Sequence, residues 1–259
     1  MTPDDILVAR AGGIATVTFN RPDKRNACSF AMWKQLGELF RGFAADNEVR
    51  TVILTGAGGH FCAGADISEF ETVRANAKAA EAYEHAGEAA MLAIRDCPKP
   101  VIAQISGSCV GGGLALALVC DFRIADETAR MGIPAARLGL VYSLLETRSL
   151  VNAAGATNAK RVLMSAKIFP AREAEQLGLI DELTADPAAA VQVLAQTIAA
   201  NAPLSVAGAK FIINAIAAGE AEKREPEIHH RVMGAMDTED FKEGRRAFME
   251  KRPPVWRGR

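Results

Sequence analysis

The sequence predicts an α/β fold: strands alternating with helices, followed by a helical C-terminal part. Three observations carry this. Apolar residues alternate in "GIATVTF" and run on in "TVILTG" and "KPVIAQISG", the signatures of half-buried and fully buried strands. Between the first two, Phe30, Trp33, Leu36, Phe40 and Phe43 recur at helical spacing. From about residue 140 onward, nearly every stretch reads as helix.

In chain order, "GIATVTF" puts Ala15, Val17 and Phe19 on one face and Ile14, Thr16 and Thr18 on the other. "NRPDKRNACS" is a polar loop into the first helix. "TVILTG" is a buried strand ended by glycines. "SEFETVRANAKAAEAYEHAGEAAMLAIRDC" is alanine-rich and charged, mostly helix. "KPVIAQISG" is a strand opened by a proline, which its first position tolerates. "GGLALALVC" reads as a buried helix and "DFRIAD" as a short strand. In "DPAAAVQVLAQTIAAN", Asp186 is the N-cap and Pro187 the first helical residue. There is no internal repeat and no low-complexity linker.

Composition excludes several classes. Lys plus Arg number 30 and Asp plus Glu 31, a net charge of −1. That lacks the basic stripe of a duplex-binding protein, so no nucleic-acid partner is expected. Cys28, Cys62, Cys97, Cys109 and Cys120 are odd in number and form no CxxC, which predicts buried thiols in a reducing cytoplasm rather than disulfides or zinc. The start "MTPDDILVARAGG" is acidic without a long apolar run, unlike a signal peptide. "LALALV" is too short to span a bilayer, so no membrane partner is expected either. His60, His85, His229 and His230 stand in no H-E-x-x-H frame and read as surface or loop residues, and no metal site is expected. "GSCVGGG" matches neither G-x-G-x-x-G nor a Walker loop, and G-x-S-x-G is absent.

One stretch does carry chemistry. In "SGSCVGGGLALALVCD", Gly111 to Gly113 let the backbone approach a ligand closely and then open a helix at Gly113. Such a turn holds negative charge well. Leu114, Ala115 and Leu116 supply no acid, base or metal ligand.

Together with "GAGGHFCAGADISEF", this stretch resembles the crotonase superfamily, the enoyl-CoA hydratase/isomerase family. The resemblance runs from "ATVTFNRPDKRNACS" through both glycine stretches and "RLGLV" to "EDFKEGRRAFMEKRPPVW". It implies a ClpP/crotonase-type β-β-α spiral core over 1–200 and a helical oligomerisation region over 201–259, assembled as a homotrimer or hexamer. It also implies an acyl-CoA thioester substrate whose CoA is the only cofactor group. Two backbone N–H groups, carried over to Ala65 in "CAGAD" and Gly112 in "GGG", would bind the thioester oxyanion. Ala63, Ala65, Asp66 and Ile67 match the region near the CoA adenine, with Asp66 ordering its loop. Lys24 and Arg25 would face phosphates, and Phe248 and Lys251 a neighbouring subunit's CoA; each of these four reads equally as an ordinary surface or packing residue.

The chain also departs from the family. Hydratases use two glutamates around a water molecule; the matching positions here are Ala115 and Ala135. A methyl group neither positions water nor moves a proton. "LGLVYSLLE" resembles the methylmalonyl-CoA decarboxylase branch, which has a tyrosine at the position of Tyr142, but that branch carries histidine at Ala65 and glutamate at Ala115. Loss of CO₂ makes an enolate without a general base. Tyr142 is read either as orienting a carboxylate or as packing, Ser143 as a helix N-cap, and Glu146 either as an inward base or as a solvated helix residue. The sequence therefore points to a decarboxylase-like lyase or an isomerase, with a non-catalytic acyl-CoA-binding protein as the alternative and a slow hydratase, rescued by Glu146 or by water alone, behind them.

Overall fold

A computed structural model describes residues 5–73 and 75–258. Met1 to Asp4, part of the start read as unlike a signal peptide, lie outside the described residues. So do Arg74, within the stretch read as mostly helix, and Arg259.

The chain runs β1 (Ile6–Ala11), β2 (Ile14–Phe19), α1 (Phe30–Ala45), β3 (Thr51–Gly56), α2 (Phe70–Val73), α3 (Ala77–Asp96), β4 (Val101–Ile105), β5 (Ser108–Val110), α4 (Gly112–Val119) and β6 (Phe122–Ala125). It continues through β7 (Arg130–Gly132), α5 (Leu144–Ser165), β8 (Ile168–Pro170), α6 (Ala171–Gln176), β9 (Glu182–Leu183), α7 (Pro187–Ala199), α8 (Pro203–Ala217), α9 (Glu225–Met236) and α10 (Glu239–Glu250).

The main sheet has the order β1-β2-β3-β4-β6-β9 and is parallel except for the β1–β2 hairpin. Its two faces are both apolar. Ala15, Val17, Val52, Leu54, Val101 and Ala103 enter the main core. The alternate residues Ile14, Ile53, Ile102 and Ile124 pack against Val191 and Ala195 of α7. This is why the later strands read as continuous apolar runs: a parallel sheet covered on both faces has no polar side.

A second, smaller layer β5-β7-β8 lies beyond the ends of the main strands. The chain reaches it repeatedly. β4 passes through Gly107 into β5 and then α4; β6 passes into β7 and then α5. Among the described residues, the earlier repeats continue the stack through isolated bridges: Cys62 pairs with Cys109 of β5, and Cys28 pairs in turn with Ala65 of the segment after β3. Each repeat is thus strand, short strand, helix, stacked on the one before. Cys28, Cys62 and Cys109, all fully buried free thiols, occupy successive rungs of that stack.

Several elements fall where the residue pattern puts them. Ser29 and Asp186 cap α1 and α7 through their side chains, and Pro187 opens α7. Others differ. α4 begins at Gly112, with Gly111 as its N-cap, one residue earlier than read. The region after 140 is not all helix: β8 and β9 intervene, at three and two residues too short to show a period. α5 is broken at Gly155, whose φ of 73° is non-helical. Among the described residues, no single helix is long and apolar enough to cross a membrane. α8 starts just past residue 200, yet ties cross that point: Lys210 Nζ donates to Asp121 at 2.7 Å and the Trp256 indole to the Ala200 carbonyl at 2.7 Å.

Candidate active site

The site forms where two adjacent repeats turn into their helices. In the first, the segment after β3 is laced to its neighbours by main-chain hydrogen bonds. Ala63 N–H donates to the Arg25 carbonyl at 2.9 Å, Cys28 N–H to the Gly64 carbonyl at 2.7 Å and Asp66 N–H to the Cys28 carbonyl at 2.9 Å. On the other side, Val110 N–H donates to the Cys62 carbonyl at 3.0 Å. These bonds use the groups flanking Ala65 and hold its nitrogen close to the second repeat. A methyl group placed on Gly112 would come within 3.7 Å of the Ala65 nitrogen. Gly112 is the first residue of α4, so its N–H has no acceptor within the helix. The two candidate donors therefore share one small region, beside the positive end of α4.

Two glycines make this approach possible. Gly64 has φ +98°, and a side chain there would meet the Val110 carbonyl at 2.7 Å. A side chain on Gly113 would meet the Cys62 carbonyl at 2.1 Å, inside any real contact distance. The triple glycine is thus both a close loop–helix contact and the edge of a cavity.

That cavity has a volume of about 200 Å³. Ala63, Ala65, Ile67, Gly112, Tyr142 and Glu146 all line it. The Tyr142 hydroxyl lies 3.6 Å from where a methyl on Gly111 would stand. Burial, then the charges of Glu146 and Glu84, push the Tyr142 phenol above its ordinary value, so it stays a neutral donor. Ala135 also borders the cavity with its methyl group, whereas Ala115 is buried in α4.

Ser143 is the N-cap of α5, as its position predicts. Its hydroxyl accepts from Glu146 N–H, and Glu146 Oε2 accepts from Ser143 N–H at 2.9 Å, a complete capping box. Glu146 is therefore neither simply inward nor simply solvated: it caps its helix and lines the cavity. Burial raises its carboxyl, the hydrogen bonds with Ser143 lower it, and the charges of Glu84 and Glu88 raise it again, leaving it above the ordinary glutamate range. Glu84 and Glu88 of α3 also border the cavity. The sequence reading missed them because an exposed charged helix shows no face until its packing is known.

Asp66 is buried, and burial alone would raise its carboxyl. Hydrogen bonds from Lys24, Ser68 and Arg21 outweigh that and hold it well below the usual carboxylate range. Lys24 Nζ and Arg21 Nη2 lie 2.8 and 2.9 Å from Asp66 Oδ2, and Asp66 caps the turn at Ile67–Glu69. Lys24 is thus committed to the loop that carries Ala65. Arg25 borders a different hollow with His60 and Arg130. Phe248 is 83% exposed on α10, and Lys251 ends that helix in the left-handed conformation. Neither borders the cavity. His60 accepts from Ser108 N–H at 3.1 Å, a loop role as read. Among the described residues, no group of His, Cys, Asp or Glu is arranged to hold a metal ion.

Two neighbouring turns of a strand–strand–helix spiral thus bring Ala65 and Gly112 to the edge of one cavity. The chain belongs to the enoyl-CoA hydratase/isomerase family, the crotonase superfamily, whose sequence model matches residues 9–259. An enoyl-CoA hydratase/isomerase family protein from Hyphomonas neptunium superimposes with a TM-score of 0.93 at 40% identity, over 98% of each chain. An enoyl-CoA hydratase/carnithine racemase from Magnetospirillum magneticum gives 0.90 at 38% identity, over 100% of this chain and 97% of that one. YngF of Bacillus subtilis, named for the hydratase/isomerase family, is 36% identical over 253 residues, 95% of each protein. These likenesses bear out the expected α/β crotonase fold.

Proposed function

We propose that the protein is an acyl-CoA enzyme that forms a thioester enolate at the Ala65 and Gly112 N–H groups and moves the substrate proton with Glu146. The observation that carries this reading is the placement of Glu146, its carboxyl raised by burial, in the same cavity as both donors.

The thioester oxygen accepts from both N–H groups. The Glu146 carboxylate takes a proton from the α-carbon, and the C–H electron pair moves toward the carbonyl, leaving an enolate. Protonated Glu146 returns the proton at the γ-carbon of a 3-enoyl chain, and the double bond shifts by one position. A raised carboxyl suits both halves of this transfer, because it holds the proton more tightly than an ordinary glutamate does. Oxyanion donors in such a cavity contribute a large share of the acceleration; removing one costs roughly 10²–10³ in rate. The Tyr142 hydroxyl orients the acyl group beside Gly111.

CoA follows the segment Ala63–Ile67, with Phe248 and Lys251 of a neighbouring subunit completing its site in a trimer or hexamer. The substrate brings the only cofactor group, and the reaction takes place in the cytoplasm.

A decarboxylase-like lyase is the second reading, favoured by the Tyr142 hydroxyl beside Gly111, where it would orient a departing carboxylate. Many relatives carry hydratase in their names, among them the short-chain-enoyl-CoA hydratase of Clostridium acetobutylicum. Ala115 and Ala135 speak against that reaction here and in favour of a binding protein if chemistry is absent.

Mass spectrometry and NMR of 3-enoyl-, crotonyl- and methylmalonyl-CoA after incubation separate these readings. A shifted double bond supports the isomerase; loss of CO₂ moves the protein to the lyase reading, gain of water to the hydratase. Unchanged thioesters that demonstrably bind leave only the binder.

A further inference from the structure

We infer that Trp33 and Tyr83 close the acyl end of this cavity and restrict it to short acyl groups. The inference rests on the acyl-CoA reading of the site.

Trp33 comes from α1 and Tyr83 from α3, and both border the cavity while 4% and 5% exposed. The indole N–H donates to the Tyr83 hydroxyl at 3.1 Å, which satisfies both buried polar atoms. The indole lies in a slot between two glycines. A methyl on Gly112 would stand 3.3 Å from its Cζ2, and one on Gly87 would stand 4.0 Å from its Cδ2. Any larger residue at Gly112 would push the ring away, so the ring's position and the oxyanion edge are set together.

Tyr83 is fixed in turn by aromatic packing. Its ring centroid is 5.9 Å from Phe30 and 6.1 Å from Phe70, within the range of favourable ring pairs. Swinging this wall aside would break a buried hydrogen bond and two ring contacts. It therefore acts as a fixed stop beside Gly112, not as a gate.

The cavity volume gives the scale. A space of about 200 Å³ is smaller than the roughly 300–1,000 Å³ of sites for drug-sized ligands. The thioester carbonyl takes part of that space, which leaves room for a short chain only.

The test is the affinity of saturated acyl-CoAs from acetyl to dodecanoyl, measured by calorimetry, so that turnover plays no part. Each buried methylene should tighten binding by about fourfold. For the wild-type protein the gain should stop within the series, well short of dodecanoyl-CoA. A gain that continues through dodecanoyl-CoA would overturn the inference. In Trp33→Ala the break should move outward by several carbons; in Trp33→Phe, the milder variant, by one or two. A break that stays put in a folded variant would remove Trp33 from the account. If no thioester binds at any length, the acyl-CoA reading itself fails, a result distinct from binding without a break.

Discussion

At the scale of single residues, the site is defined by what two alanines omit and one glutamate supplies. Ala135 offers the cavity a methyl group; Glu146, eleven residues on, offers a carboxylate. Glu146→Gln keeps an oxygen for the capping box but cannot take a proton. It should lower turnover by roughly 10²–10⁴-fold, the usual range for a positioned acid or base. The same change should stabilise the fold near neutral pH. A carboxyl whose folded pKa is raised adds stability only below its ordinary range, and that stability is lost as pH rises through the folded value. The melting temperatures of the two proteins should therefore differ above that value, with the glutamine form higher, and converge below the ordinary glutamate range. Wild-type kcat/KM should rise with pH on the acid side, with a midpoint above the ordinary glutamate range. Tyr142→Phe should lower kcat more than it weakens binding; unchanged kinetics would retire the hydroxyl. Ala65, Gly112, Tyr142 and the cap at Ser143 were legible because each sits in a local motif. The direction of Glu146 was not, because it depends on how the turn at Pro134–Leu138 and Gly139 aims the start of α5.

At the scale of elements, the site depends on two glycine-bearing turns held against each other. Gly112→Pro removes one N–H at the first helical position, where its ring also presses on Trp33; Gly112→Ala, which presses on Trp33 but keeps the N–H, is the control, and activity of the proline variant should fall roughly 10²–10³-fold below the alanine one or vanish. Retained activity in a folded variant would sink the assignment of that donor. The other turn is held by Asp66 against Arg21 and Lys24. Its carboxyl is depressed in the fold, so its contribution is present above the ordinary carboxylate range and is lost as pH falls through that range toward the depressed value. Asp66→Asn should lower the melting temperature at neutral pH and speed amide exchange at Ala65, and its deficit in melting temperature should shrink in acid. Long strands and helices showed clearly in the sequence because period and length act together. β5, β7, β8 and β9 did not, since two or three residues carry no period and are held by the layer they join. β1 was missed for another reason: it is an apolar run, ILVARA, without alternation, and five of its six residues are exposed.

At the scale of the whole molecule, the spiral explains how distant stretches of chain meet. Stacking one repeat on the next places the loop after β3 beside the start of α4, so Ala65 and Gly112 converge although 47 positions separate them in sequence. Nothing in periodicity shows that convergence; only the paired glycine motifs and their resemblance to a family pointed to it. The C-terminal helices leave Ile213, Ile216, Phe248 and Met249 well exposed. Such apolar surface fits a subunit contact, and light scattering should return a trimer or hexamer. A monomer at micromolar concentration would remove Phe248 and Lys251 from the CoA site.

The central claim is that this cavity makes a thioester enolate. The most direct measurement is the exchange of α-hydrogens of butyryl-CoA in deuterated water, followed by mass spectrometry, for the wild-type protein and Glu146→Gln. The account predicts deuterium at the α-carbon with the wild-type protein and a rate lower by roughly 10²–10⁴ with the variant. Butyryl-CoA that binds yet returns with no deuterium from the wild-type protein would contradict it.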